Sequence, residues 1–100
     1  MSKTYYSEYA RHCLRFYIRH PNPKFECVTD RKDWFAARDA VESLKDDEQE
    51  FINNIYTSYV NEISERVKNA ADDMNFTLKK AWGTMCIAEK RVAKNRGLIC

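Results

Sequence analysis

The sequence predicts a single all-α domain, a small bundle of about four helices around a long central one. Three observations carry this. Between Asp46 and Met74, apolar residues fall at 51, 52, 55, 56, 59, 63, 67, 70, 71 and 74, the three-then-four spacing of a helix with one buried face. No proline or glycine interrupts that stretch. The segments on either side repeat the helical spacing in shorter, more basic form, as partners that cover the central face would.

One hundred residues fit one domain, residues 1–100. Aromatic residues such as Tyr6, Tyr17, Phe35, Phe51, Tyr56, Phe76 and Trp82 help a chain of this size fill its core. No apolar run approaches the roughly 20 residues of a spanning helix, so no membrane partner is expected. The opening MSKTYYSEYARH lacks the apolar core of a secretory signal. The protein is therefore expected in the cytoplasm, with its four cysteines reduced. Cys13 and Cys86 are read as small buried residues, and Cys27 and Cys100 as lying near a loop or terminus.

The small net charge of +2 hides an asymmetry. Residues 1–32 carry seven Lys/Arg against three Asp/Glu, residues 33–75 four against eleven, and residues 76–100 six against one. Such a chain can neutralise itself when its ends fold over its middle, or it can present two basic surfaces.

The first helix is predicted from about Thr4 to His20, with Ser2 or Thr4 as N-cap. Tyr6, Ala10, Cys13, Leu14 and Tyr17 share its inner face. Arg11, Arg15 and Arg19 stand on successive turns of another face, rising by about 6 Å each time. A row of guanidiniums suits phosphates or acidic side chains. Pro21 and Pro23 end this helix. His12, Cys13, His20 and Cys27 lie nearby, but their spacing matches no zinc knuckle or finger, so no metal is expected.

The second helix is predicted from Asp30, capped by Thr29 or Asp30, with Asp33 in the first turn where a negative charge suits the dipole. Trp34, Ala37, Val41 and Leu44 mark its buried face. Asp46 or Asp47 then caps the central helix, with Glu50 closing a capping box. Running from 47 to 74, that helix would be roughly 42 Å long; Ser58 and Asn61 are the points where it would break. The last helix follows Asn75 or Thr77 as N-cap. Leu78, Ala81, Trp82, Met85, Ala88 and Val92 form its apolar stripe, and Gly97 is the residue suited to a left-handed ending.

Chemistry is sparse. The only glycines are Gly83 and Gly97, so there is no phosphate-binding loop. Both histidines lie in the first segment, and the carboxylate pairs fall at helix ends, where capping explains them. No enzyme activity and no cofactor are expected. Nucleic-acid binding fits better. A recognition helix would begin with Thr77, Lys79 and Lys80, and Lys90, Arg91, Lys94 and Arg96 would add salt-dependent backbone contacts.

Leu44, Glu48, Phe51, Ile52, Ile55 and Tyr56, then Asn61–Val67 (NEISERV), then a turn and a basic helix, resemble region 4 of sigma-70-type factors. The closing VAKNRGLI, residues 92–99, resembles the ending of small sigma-like proteins of phages and mobile elements. The resemblance covers residues 41–99. It implies a helix-turn-helix-related regulator that binds promoter DNA or RNA polymerase, with Thr77, Lys79, Lys80 and Trp82 opening the recognition helix. Between Glu62–Ile63 and Thr77 the chain is about two turns longer than that family's usual spacing. Two other readings stand beside it. One is a non-catalytic inhibitor, of the anti-CRISPR type, that binds a host nuclease or other nucleic-acid enzyme. The other is a helical module that forms a homodimer through spare apolar surface of the central segment.

Overall fold

The computed structural model describes residues 6–58 and 62–98. It is all-helical, with five helices and no strand among those residues. These are α1 (Ser7–Arg19), α2 (Val28–Glu42), α3 (Asp46–Thr57), α4 (Ile63–Met74) and α5 (Leu78–Asn95).

The long central helix expected over 47–74 is two helices. Thr57 closes α3, Ser58 is extended at φ −73°, ψ 144°, and Glu62 is again extended before α4 begins. The physical reason lies in another part of the chain. Arg19 Nε donates to the Tyr56 carbonyl at 3.0 Å, and its Nη2 donates to the Ser58 carbonyl at 3.2 Å. A guanidinium from α1 thus satisfies carbonyls at the α3 terminus that a continuing helix would have bonded internally.

The centre of the fold shifts accordingly. α5 packs against all four other helices, and α1 packs against α2, α3 and α5. The core joins Ala10, Cys13 and Leu14 of α1 to Ala37 and Val41 of α2, and to Phe51, Ile52, Ile55 and Tyr56 of α3. Val67 and Ala71 of α4 and Ala81, Met85, Ala88 and Val92 of α5 complete it. Many of these are alanines, which let helix axes approach closely. Phe51 and Phe76 stack at 5.0 Å between centroids and seal the end near the α4–α5 turn.

Several local expectations change. α2 starts at Val28, with Cys27 as its N-cap, ahead of the predicted Asp30. The loop before it is held from inside α2, where Trp34 Nε1 donates to the His20 carbonyl at 2.9 Å and the ring meets Tyr17, Phe25 and Phe35. At the start of α3 the backbone N–H of Lys45 donates to Glu48, so Glu48 and not Glu50 closes the turn. Leu78 and Trp82 are exposed, not core. The buried face of α5 centres on Ala81, Ala88 and Val92, with Thr84, Glu89 and Ala93 beside them, and the other two fall at its edge. Cys13 is buried, but Cys86 is exposed on the outer face of α5. The predicted caps Ser2 and Thr4, the residues Asn61 and Ile99, and Cys100 lie outside the described residues.

Both ends of the C-terminal pair match the pattern in the sequence. Thr77 caps α5, its Oγ1 accepting from the Lys80 N–H at 3.1 Å. Gly97 is left-handed at φ 75°, with Leu98 N–H to Ala93 O at 2.8 Å and Gly97 N–H to Lys94 O at 3.1 Å, a Schellman ending. α4 ends in the same way on Asn75, the one non-glycine residue of positive φ among the described residues, at 57°. The α4–α5 junction is therefore only Asn75, Phe76 and Thr77.

Candidate nucleic-acid interface

The basic residues divide into those that tie helices together and those that face outward. Arg11 belongs to the first group. Its Nε donates to Glu89 at 2.8 Å, and Glu89, the only carboxylate of α5, is 5 % exposed. Arg19 caps α3 as described. Arg91 Nη1 bonds the carbonyl and hydroxyl of Ser43 at 3.1 and 2.9 Å, closing the end of α2. Lys80 reaches Asp47 at 3.1 Å and lies 4.2 Å above the Phe76 ring. That hydrogen bond from Lys80 is the main reason the Asp47 carboxyl is held below its ordinary pKa.

Arg96 forms the most buried of these links. Its Nε donates to Asp33 at 2.7 Å, and Tyr9 donates to the same carboxylate oxygen at 2.6 Å. Asp33 is 2 % exposed. From the sequence alone, Asp33 is expected in the first turn of this helix, where a negative charge suits the dipole. With α2 starting at Val28, Asp33 falls in its second turn, on the face that packs inward, where it binds α1 to the end of α5. His12 Nε2 stands 3.8 Å from its other oxygen. The Tyr9 phenol is pushed up by burial and then by its bond to Asp33, while bonds to Tyr9 and Asp33 hold the Arg96 guanidinium higher still. Beside them the Cys13 thiol is pushed up to about 12, first by burial and next by the Asp33 charge.

Four of the ten predicted contact residues face outward. Lys79, Lys90 and Lys94 are exposed on one face of α5 and have no ion pair or hydrogen bond among the described residues. From Lys79 to Lys94 the helix rises about 22 Å. Between them the surface is low, with Gly83 and Cys86 exposed; a Cβ added at Gly83 would meet nothing within 4 Å. Ile87 and Trp82 flank it, 41 % and 39 % exposed. Arg15 is exposed on α1 and lines a cavity with Arg66 of α4. Thr77, the tenth, is occupied as the cap of α5.

The structure thus does not gather the ten residues into one patch. It spends five cations and one hydroxyl on internal bonds and leaves a three-lysine face on α5. The histidines and cysteines weighed for zinc are apart in role: His20 bonds the Phe16 carbonyl and His12 leans towards Asp33. No group of three or more His, Cys, Asp or Glu that could hold a metal occurs among the described residues. No helix there is long and apolar enough to cross a membrane. No protein-family model, curated protein or solved structure matches the chain.

Proposed function

We propose that this chain is a small, non-catalytic regulator of the phage or mobile-element kind that docks α5 along duplex DNA. One observation carries the reading. The outward face of α5 holds Lys79, Lys90 and Lys94, with no carboxylate on that face and no intramolecular partner among the described residues. The short α4–α5 junction supports it, because a three- to four-residue turn between helices is what the helix-turn-helix motif requires. The low surface at Gly83 and Cys86 lets the helix approach a groove about 12 Å wide.

The contact differs from that of a recognition helix read end-on. Thr77 and Lys80 at the start of α5 are already engaged, and Asp46, Asp47 and Glu48 stand beside that end. Lysines along the shaft then meet phosphates, giving binding dominated by the backbone with little base readout. Three neutralised phosphates give a slope of about −2.7 in log K against log salt, or roughly 40-fold weaker binding at 200 than at 50 mM salt. Fluorescence anisotropy on a random duplex tests this. Each of K79Q, K90Q and K94Q should reduce the slope by about 1. No binding at 50 mM salt rejects the proposal.

A protein partner, such as RNA polymerase or a host nuclease, is the second reading. The observation that favours it is the exposure of Leu78, Trp82 and Ile87 on the same helix. Aromatic anchors beside a cationic rim are typical of interface centres. It predicts a stable complex that survives nuclease treatment and is lost in W82A. A homodimer on this face would instead show as a concentration-dependent mass in sedimentation.

A further inference from the structure

α1, the end of α3 and the start of α4 enclose a cavity of about 180 Å³. Its lining is Glu8, Arg11, His12 and Arg15 from α1, Tyr56 from α3, and Ile63 and Arg66 from α4. The α1 residues recur at three- and four-residue spacing, so they share one face. Arg11 spends its Nε on Glu89, one of the five N–H donors of a guanidinium. Arg15 makes no ion pair among the described residues. Ile63 and Arg66 belong to the first turn or so of α4, the positive end of that helix.

Tyr56 is the odd member. It is 2 % exposed, yet its hydroxyl has no hydrogen-bond partner among the described residues. A buried, unsatisfied hydroxyl is costly, and phenylalanine would fill the same space without that cost. Burial raises its pKa, so at neutral pH the group is a donor and not a phenolate. The surrounding charge is mixed but positive: three guanidiniums face Glu8 and the Arg11-bound Glu89.

We infer that this cavity binds a terminal phosphoryl group, the dianion of a phosphate monoester, between Arg15, Arg66 and the Tyr56 hydroxyl. Arginine forks match phosphate oxygens in pairs, and a phenolic O–H supplies a further donor that a lysine pocket would lack. The volume agrees. A cavity of ~150 Å³ admits the six heavy atoms of benzene, and a phosphoryl group has fewer. A whole nucleotide exceeds it, so the rest of any ester must project into solvent. The site stands apart from the outward face of α5 and is independent of duplex binding.

The test uses the full chain at constant ionic strength, with chloride replaced by inorganic phosphate, by a nucleoside 5′-monophosphate, or by a single-stranded oligonucleotide carrying either a 5′-phosphate or a 5′-hydroxyl. Binding is followed through the Arg side-chain N–H and backbone resonances of residues 8–15 and 63–66. The monophosphate should bind and its nucleoside should not. Preference for the 5′-phosphorylated oligonucleotide over the mononucleotide would assign the source as a nucleic-acid end, and the reverse would assign a free metabolite. Tyr56→Phe and Arg15→Gln should each weaken phosphate binding about tenfold or more. Y56F should also raise the melting temperature without ligand, and Lys24→Gln should leave phosphate binding unchanged. The inference is overturned if these resonances do not respond to millimolar phosphate, or if Y56F binds as the parent does.

Discussion

Replacing Asp33 with alanine should be among the most damaging single changes in the molecule. Asp33 is nearly inaccessible and accepts short bonds from Tyr9 and Arg96, which also touch each other at 3.3 Å. Removing one partner of a buried ion pair costs about 3–5 kcal/mol, because the remaining charge stays buried without compensation. Arg96 lies in the closing turn with about a fifth of its side chain exposed, so it can turn partly to water, and the lower bound of about 3 kcal/mol applies. For a domain of this size that is roughly 12–24 °C in Tm, out of a total stability of about 5–15 kcal/mol. Asp33→Asn keeps the shape and one acceptor and should cost about 1–2 kcal/mol. Urea unfolding followed by far-UV circular dichroism measures both. In a double-mutant cycle, D33A with Arg96→Met should cost clearly less than the two changes added. A loss below about 1 kcal/mol for D33A would refute the claim that this cluster ties α1 and α2 to the end of α5.

Three further outcomes follow from the structure. Thiol reagents should label Cys27 and Cys86 in the native protein and Cys13 only on unfolding. Because the folded Cys13 pKa, about 12, lies above its unfolded value of about 8.5, its contribution to stability is complete below that value and is lost as pH rises from there towards 12. Tyr9, Tyr17 and Tyr56 are raised with the same sign, so Tm should fall through the alkaline range, and C13A should make the onset shallower. Asn75→Ala should destabilise by about 1 kcal/mol and Asn75→Gly should not, because a left-handed backbone penalises a Cβ that has no local hydrogen bond to offset it; chemical unfolding of the two variants checks this.

The all-helical class was legible because the apolar spacing, the prolines at 21 and 23, the Thr77 cap and the Gly97 ending are local signals, and local signals govern helix existence and ends. For the break after Thr57 the place was legible at Ser58 but its occurrence was not, since Ser58 is a weak breaker and the group that stabilises the broken end, Arg19, comes from 37 residues away. Asp33 was misplaced for a related reason. Sequence reports that a carboxylate lies near a helix start, but only packing decides whether that turn faces water. The basic row on α1 was visible, whereas its division was not: the acceptors of Arg11 and Arg19 lie on α5 and α3. Tyr56 and Arg66 carried no signal of their own, because a tyrosine at a core position and an arginine on a polar helix look ordinary until a cavity brings them together.

The bonds that join the two ends of the chain also set an order of events in its synthesis. Arg11 waits for Glu89, and Tyr9 and Asp33 wait for Arg96, partners 63 to 87 residues apart. Helices of α1 and α2 can form as they are made, since helix formation is fast and local. α1 and α2 can pack on each other as they are made, but the surface they turn towards α5 stays uncovered until that helix has been translated. Closure across most of the chain is entropically costly and must precede the contacts that reward it. The bonds of Arg11, Tyr9 and Asp33 to α5 and its closing turn therefore form only in a step that follows the synthesis of that helix.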